Sequence, residues 1–363
     1  MKHIYFFVGT AAEYIKLAPI IKEFKRRRIK FKLITSGQNN INFDELEGFT
    51  GKVKVDISLK HKSVKSSILG FIIWTMRTFV DGFISLGKEF KRLNKENSYF
   101  IIHGDTISSL VGAFIAKLYG LKIVHIESGL RSYNFLEPIP EEICRFIIIH
   151  LANILFAPNE WALSNLKNIR AEKISTGHNT LLECCLWAAK RNTNDNSIGK
   201  FGKYYILFIH RQEHIYFNKE WTRNTIELII NNANKDLTCL FLLHSLTSRF
   251  LEYERIDALT HKQKKLVLLP RQSYKDNMNL LKNAQFIATD SCTNQEEAFF
   301  LGVPMLALRN LTERTEGLQK NVVISKCNTK IVKNFLRNYK RYKTTPVRGV
   351  HRPSKVVVDY LLL

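Results

Sequence analysis

The chain has 363 residues, 45% of them hydrophobic, which is long for one core, suits two α/β domains and excludes a disordered polymer. Lysine and arginine number 55 against 32 acidic residues, a net charge of +23 that suits a polyanion, an anionic membrane surface or simply well-solvated faces. No zinc knuckle, RNP-like run or helix-turn-helix pattern directs that charge at bases, so nucleic acid is not an expected partner. The six cysteines lie mostly inside apolar patterns and never as C-x-x-C, which points to buried free thiols in a reducing compartment. The opening MKHIYFFVGT reads as a first strand rather than a signal peptide, so a cytoplasmic protein is expected.

In chain order, His3 to Val8 is a strand, Gly9-Thr10 its turn, and Glu13 to Lys25 a helix with Ile15, Leu17, Ile20, Ile21 and Phe24 in a helical pattern. Neither G-x-G-x-x-G nor a P-loop follows that strand, and no cofactor is expected. Phe31 to Thr35 is the next strand, turned by Ser36-Gly37-Gln38-Asn39. From Ser67 to Leu93 the pattern is helical, with Leu69, Ile72, Ile73, Met76, Val80, Phe83 and Ile84 on one stripe; Arg77 and Asp81 interrupt it, so it is not read as a membrane span. Phe71 and Trp74 lie off the stripe. They would face a partner subunit, giving a homodimer through 67–93, or a bilayer surface beside Lys88, Lys91 and Arg92, unless the helix is wrapped by its own domain.

Ser98 to His103 leads into Gly104-Asp105-Thr106 and a helix from Ser108 to Leu118; Lys122 to Ile126 ends at Glu127-Ser128-Gly129-Leu130-Arg131. Two successive strands thus deliver a carboxylate at their carboxyl ends, where open α/β sheets bind ligands. Pro140 opens a helix on which Glu141 and Arg145, four apart, share a face. Singly, each of these charges could equally be a cap or a salt bridge.

After the strand Ile154 to Ala157 and the helix Asn159 to Leu166, a second domain is expected from residue 171, with a polar linker over Arg191 to Lys203. The strand Tyr204 to Ile209 ends in His210-Arg211-Gln212-Glu213-His214, which spells the zinc-protease pattern H-x-x-E-H. That reading fails because zinc needs both histidines on one helical face, whereas this run begins at a strand-to-loop junction. Leu240 to Leu243 leads to His244. Phe286 to Ala288 is a short strand, Asp290-Ser291 its turn, and Thr293 with Glu296 makes a capping box for a helix from about Asn294 to Gly302. A helix opening at the carboxyl end of a strand suits a phosphate, and Glu296 is better suited to sugar hydroxyls. Val303 to Leu308 resumes as strand, and Pro353 to Leu363 is a terminal helix.

These stretches resemble, in order, the motifs of the non-hydrolysing UDP-N-acetylglucosamine 2-epimerases. GTAAEYIKLAP from Gly9 to Pro19 is similar to GTRPExIKLAP, with Ala11 in place of arginine; the turn at Gln38 resembles TGQH. HGDT, HIESGLR and PEExxR resemble QGDT, HxEAGLR and PEExNR, with Cys144 for asparagine. Gly177-His178-Asn179 resembles the TGNT hinge, His210 to Glu213 the GHRxEN segment, His244 the histidine of a PxH loop, and Asp290 to Glu297 the signature DSGGxQEE, with Cys292 and Thr293 in place of two glycines.

The resemblance implies an α/β protein of GT-B architecture, two Rossmann-like domains with parallel sheets facing across a cleft: 1–170 carrying the carboxylates, 171–350 binding nucleotide, and 351–363 a helix returning to the first. It implies interconversion of UDP-N-acetylglucosamine and UDP-N-acetylmannosamine by UDP elimination and re-addition, for surface polysaccharide precursor supply. Asp105, Glu127, Glu141, Arg145 and His210 fall on its catalytic positions. Lys16, Gln38, Arg131, His244, Asp290, Ser291, Glu296 and Arg314 are the expected substrate-binding set; the partner is a UDP-sugar, with no metal. Ala11, Cys292 and Thr293 all depart from the pattern at the diphosphate. They leave a second function open, a GT-B sugar transferase or polysaccharide-assembly protein acting on a lipid-linked acceptor, peripheral at the inner membrane face.

Overall fold

Short apolar runs alternating with helical patterns produce two all-parallel sheets, described by a computed structural model over residues 2–59, 68–135, 137–190, 199–253, 265–348 and 351–363. In the first, β1 (His3–Val8), β2 (Lys32–Thr35), β3 (Ile57–Ser58), β4 (Ser98–His103), β5 (Lys122–Ile126), β6 (Ile154–Ala157) and β7 (Glu172–Ser175) lie in the order β3-β2-β1-β4-β5-β6-β7. The second holds β8 (Tyr204–Phe208), β9 (Thr238–Leu242), β10 (Leu266–Leu269), β11 (Ile287–Thr289), β12 (Met305–Ala307) and β13 (Val322–Ile324) in the order β10-β9-β8-β11-β12-β13. Strand order reverses between β1 and β4 and between β8 and β11. Crevices for ligands open at such reversals, outside the carboxyl ends of the strands.

The chain forms two compact units, Met1–Cys184 with Val350–Leu363, and Cys185–Gly349. In the first unit the sheet is covered on both faces, as a parallel sheet requires. On one face Phe6 meets Phe24 of the helix Ala11–Arg26 edge-on at 5.5 Å, and that helix packs against the terminal helix Pro353–Leu362. The terminal helix is tied by an ion pair from Arg27 to Asp359 and by Ser354, whose N–H and hydroxyl donate to Glu183. On the other face Tyr5, Phe7, Phe100, Ile102 and Ile123 bury against the helices Ile68–Phe90, Ile107–Leu118 and Glu141–Leu151. The second unit buries Leu207, Phe241, Phe286 and Leu306 against Ile226, Ile229 and Phe335.

The helix Ile68–Phe90 lies with the opposite face inward from the one its apolar stripe predicts. Leu69, Ile72, Ile73, Met76, Val80, Phe83 and Ile84 are exposed, whereas Trp74, Thr78, Leu86 and Phe90 are buried. Two glycines account for the rotation. A Cβ on Gly82 would stand 2.6 Å from Ile115 and one on Gly87 2.2 Å from the Tyr119 hydroxyl, so close approach selects this face. Trp74 therefore points inward, with Phe71 stacked on it at 5.4 Å. By length and composition alone Leu69–Phe90 could cross a bilayer, so Arg77 and Asp81 do not rule that out as the sequence reading held. The expected start at Ser67 and residues 191–198 of the expected linker lie outside the described residues.

Candidate active site

At the β1/β4 reversal the chain turns at Gly9-Thr10, and a capping box closes the first helix: the Thr10 hydroxyl accepts from the Glu13 N–H at 3.3 Å while the Glu13 carboxylate accepts from the Thr10 and Gly9 N–H groups at 3.0 and 2.6 Å. Glu13 also accepts from Ser109 and Thr106, so it is a buried tie between β1 and β4 rather than a group open to a ligand. Burial pushes its carboxyl up against the pull of those donors. Gln38 accepts from the Ser108 N–H at 3.2 Å on the same crevice edge.

Each strand-end carboxylate is held by a cation from another element. The Lys16 ammonium sits 2.6 Å from Glu127, both buried, and the Asn179 amide donates to the same carboxylate oxygen. Asp105 accepts from Arg145, whose other nitrogen lies 3.3 Å from the buried Glu142; Glu142 in turn accepts from Arg131. Glu141, one residue earlier on that helix, is half-buried. Glu127 adopts φ of 67°, a conformation that favours glycine, and Gly104 beside it φ of 66°. A buried bridge holds these turns. His125 Nε2 lies 2.7 Å from the Gly104 carbonyl, which can only accept, so Nε2 carries the proton and Nδ1 accepts from the Ser128 hydroxyl at 2.6 Å. Burial pushes the His125 imidazole down to about 4, so it is neutral.

In the second unit Asp290 follows β11 at the β8/β11 reversal and is fully buried. It accepts from the backbone N–H of His210 at 3.1 Å and of Arg211 at 2.9 Å, and pairs with Nδ1 of His210 at 2.8 Å and of His214 at 3.0 Å. Burial alone would raise this carboxyl, but His210 and His214 hold it well below the usual range. Both histidines of H-x-x-E-H are thus turned to one carboxylate. Since a carboxylate only accepts, each ring carries Nδ1–H, leaving Nε2 of the part-exposed His210 as the atom able to exchange a proton. His244 lies beside it, ring centroids 5.9 Å apart.

The following helix, Cys292–Leu301, is capped by Ser291, whose hydroxyl accepts from the Asn294 N–H at 3.3 Å. The expected box of Thr293 with Glu296 is therefore corrected: the helix starts two residues earlier, which moves Glu296 past its first turn. Glu296 is instead fully buried and paired with Arg314 at 2.7 Å. At the helix start Arg211 donates to the Cys292 sulfur at 2.8 Å, and Arg309 donates to it as well. Arg211 also pairs with Glu213 at 2.8 Å and Arg309 with Glu313 at 3.0 Å. Burial pushes the Cys292 thiol up, against the two guanidiniums.

Of the residues singled out from sequence, Lys16, Gln38, Asp105, Glu127, Arg131, Glu141 and Arg145 belong to the first unit, where ion pairs join Lys16 with Glu127 and Arg131, through Glu142, with Arg145 and Asp105. His210, His244, Asp290, Ser291, Glu296 and Arg314 belong to the second, with His210 and His244 near Asp290 and Glu296 with Arg314. Sequence reasoning passed over Glu142, Asn179, His125, Arg211, His214, Arg309 and Glu313. Glu142 and Arg211 adjoin residues already chosen, and Arg309 with Glu313 has helical i,i+4 spacing just past β12.

The UDP-N-acetylglucosamine 2-epimerase family model matches residues 22–353. The UDP-N-acetylglucosamine 2-epimerase of Methanocaldococcus jannaschii is 31% identical, with 96% of each chain covered. The solved structure of UDP-GlcNAc 2-epimerase from that organism, in complex with UDP-GlcNAc and UDP, matches with a TM-score of 0.83 at 26% identity over 99% of both chains. The Neisseria meningitidis enzyme bound to UDP-GlcNAc matches with a TM-score of 0.83 at 25% identity over 100% of both. The two parallel sheets are those of the GT-B fold.

Proposed function

The chain belongs to the UDP-N-acetylglucosamine 2-epimerase family, and we propose that it interconverts UDP-N-acetylglucosamine and UDP-N-acetylmannosamine by inverting C2 of the sugar. In the forward direction a base takes the C2 proton, the C1–O bond to the diphosphate breaks, and UDP leaves a glycal. A proton then returns to C2 on the opposite face while a diphosphate oxygen re-forms the bond to C1. The reaction needs carboxylates near a weakly acidic C–H and cations near the leaving diphosphate. Asp105, Glu127 and Glu141 answer the first need, with Glu127 held in an ion pair by Lys16 and Asp105 by Arg145. Arg211, Arg309 and the start of the helix Cys292–Leu301 answer the second, with His210 oriented by Asp290 for proton exchange. Gln38, His244 and Ser291 are assigned to substrate directly; Lys16, Arg131, Glu296 and Arg314 act through the ion pairs they make.

The observation that carries this reading is the pair of carboxylates at the ends of β4 and β5, each clamped by a cation from another element beside the strand-order reversal. The test is incubation with UDP-N-acetylglucosamine in D₂O. Proton NMR should show loss of the C2 proton signal and the appearance of UDP-N-acetylmannosamine; a sugar nucleotide that keeps its C2 proton after many enzyme equivalents would overturn the assignment.

A further inference from the structure

We propose that His125 is a positioning residue for C2 inversion: its imidazole fixes the two turns that carry Asp105 and Glu127, and so sets the spacing between the two carboxylates. The role rests on the epimerase reading and is exerted through the backbone, not through contact with the sugar.

His125 lies inside β5 opposite Ile102 of β4 and is 1% exposed. Buried polar groups need partners, and this ring takes both of its own from the turns beside the site. Nε2–H donates at 2.7 Å to the carbonyl of Gly104, the residue just before Asp105. Nδ1 accepts at 2.6 Å from the hydroxyl of Ser128, the residue just after Glu127, and Ser128 is itself tied to β6 by its N–H, which donates to the Phe156 carbonyl at 2.9 Å. The task requires a group that donates at one end and accepts at the other, as a neutral imidazole does.

Both turns need such a grip. Gly104 has φ of 66° and Glu127 φ of 67°, the left-handed region, which a glutamate adopts only where its surroundings hold it there. The Gly104 N–H donates to the Ile126 carbonyl at 3.0 Å, so with His125 on its carbonyl both polar groups of that residue are fixed to β5. A Cβ on Gly104 would stand 3.6 Å from Oε1 of Glu127, which places the Glu127 carboxylate against the turn that leads to Asp105. Displacing Gly104 therefore disturbs both carboxylates. Lys16 and Arg145 hold the carboxylate tips; His125 holds the backbone from which they project. Inversion takes a proton from one face of C2 and returns one to the other, so the spacing of the groups that serve the two faces matters, and a misplacement of about 1 Å can cost on the order of 10²-fold in rate.

Asparagine carries its amide near the place of Nδ1 and glutamine near that of Nε2. His125→Asn thus keeps an acceptor for Ser128 and loses the tie to Gly104, whereas His125→Gln keeps a donor for Gly104. In steady-state kinetics with UDP-N-acetylglucosamine, kcat per folded chain should fall on the order of 10²-fold in His125→Asn with KM within about twofold of wild type, and His125→Gln should recover to within about tenfold. Ser128→Ala, a smaller change, should lower kcat by about three- to tenfold at unchanged KM, and it carries the test should the buried substitutions unfold the chain. Equal kcat in His125→Asn and His125→Gln, a loss that appears in KM instead of kcat, or wild-type kcat per folded chain with only a lowered urea midpoint would each overturn the positioning role and leave the epimerase standing. A wild type that never exchanges its C2 proton in D₂O would overturn the epimerase reading and this role with it.

Discussion

At the β1/β4 reversal two carboxylates are each held by a cation from a distant element, whereas at the β8/β11 reversal one buried carboxylate gathers two imidazoles and two arginines gather round a thiol. On the proposed reaction, the first arrangement sets paired carboxylates where a proton is to be removed. The second concentrates donors at a helix start, where an anion is stabilised. Similar parallel sheets thus place chemistry of opposite sign at equivalent positions, because function is carried by the residues at the strand ends and not by the topology.

The sharpest way to break this comparison is to disable one side and ask whether the other is affected. Glu127→Gln keeps the shape and a carbonyl acceptor for Lys16 but removes the carboxylate proposed as base; C2 exchange in D₂O should fall by about 10²–10⁴-fold, the usual worth of a general base. UDP affinity by calorimetry should stay within about twofold. An equal loss in both measurements would mean that the two clusters do not divide the work. Next in size, Arg145→Ala leaves Asp105 and the buried Glu142 without their shared cation, and removing one partner of a buried pair costs about 3–5 kcal/mol, read as a lower urea midpoint at unchanged slope.

The acid limb of stability separates the units again. His125 is depressed to about 4 in the fold, so below the ordinary histidine value the unfolded chain binds the proton more readily than the folded one. Stability should therefore fall as pH drops from about 6.5 to 4, by roughly 3 kcal/mol in all, and His125→Asn should remove that slope. Asp290, also held below its ordinary value, contributes stability that is lost only at lower pH, as the carboxyl is protonated.

Strand ends were the most legible part of the chain in sequence. β1, β4 and β5 are apolar runs closed by Gly or Glu turns, so Asp105 and Glu127 could be placed at strand ends from the sequence, while the family motifs singled them out as site candidates. β3, at two residues, and β13, at three, are too short to carry a period. The helix Ile68–Phe90 was misread because apolar spacing reports a face that wants burial, not what buries it; Gly82 and Gly87 decided the inward face by letting Ile115 and Tyr119 approach. The partners of site residues were hidden for a different reason. Asn179 reaches Glu127 and Arg145 reaches Asp105 only through tertiary folding, and the cap at Ser291 prevails over Thr293 because its hydroxyl reaches the third helical N–H.

The smallest effect falls on the residue that most sets this chain apart from its family pattern. Arg211 and Arg309 both donate to the Cys292 sulfur, so two guanidiniums at the helix start are engaged by a weak acceptor before any nucleotide arrives. Cys292→Gly removes the sulfur and returns those donors to a ligand oxygen, a gain of about 1.5–3 kcal/mol for a hydrogen bond to a charged group. Glycine in the first turn offsets up to about 1 kcal/mol of that through backbone entropy. UDP should therefore bind about tenfold tighter by calorimetry. Cys292→Ser, which keeps an acceptor between the arginines, should change affinity by about twofold or less. If Cys292→Gly weakens UDP instead, the thiol is itself a ligand contact, and the anion seat of the second unit has been rebuilt around it.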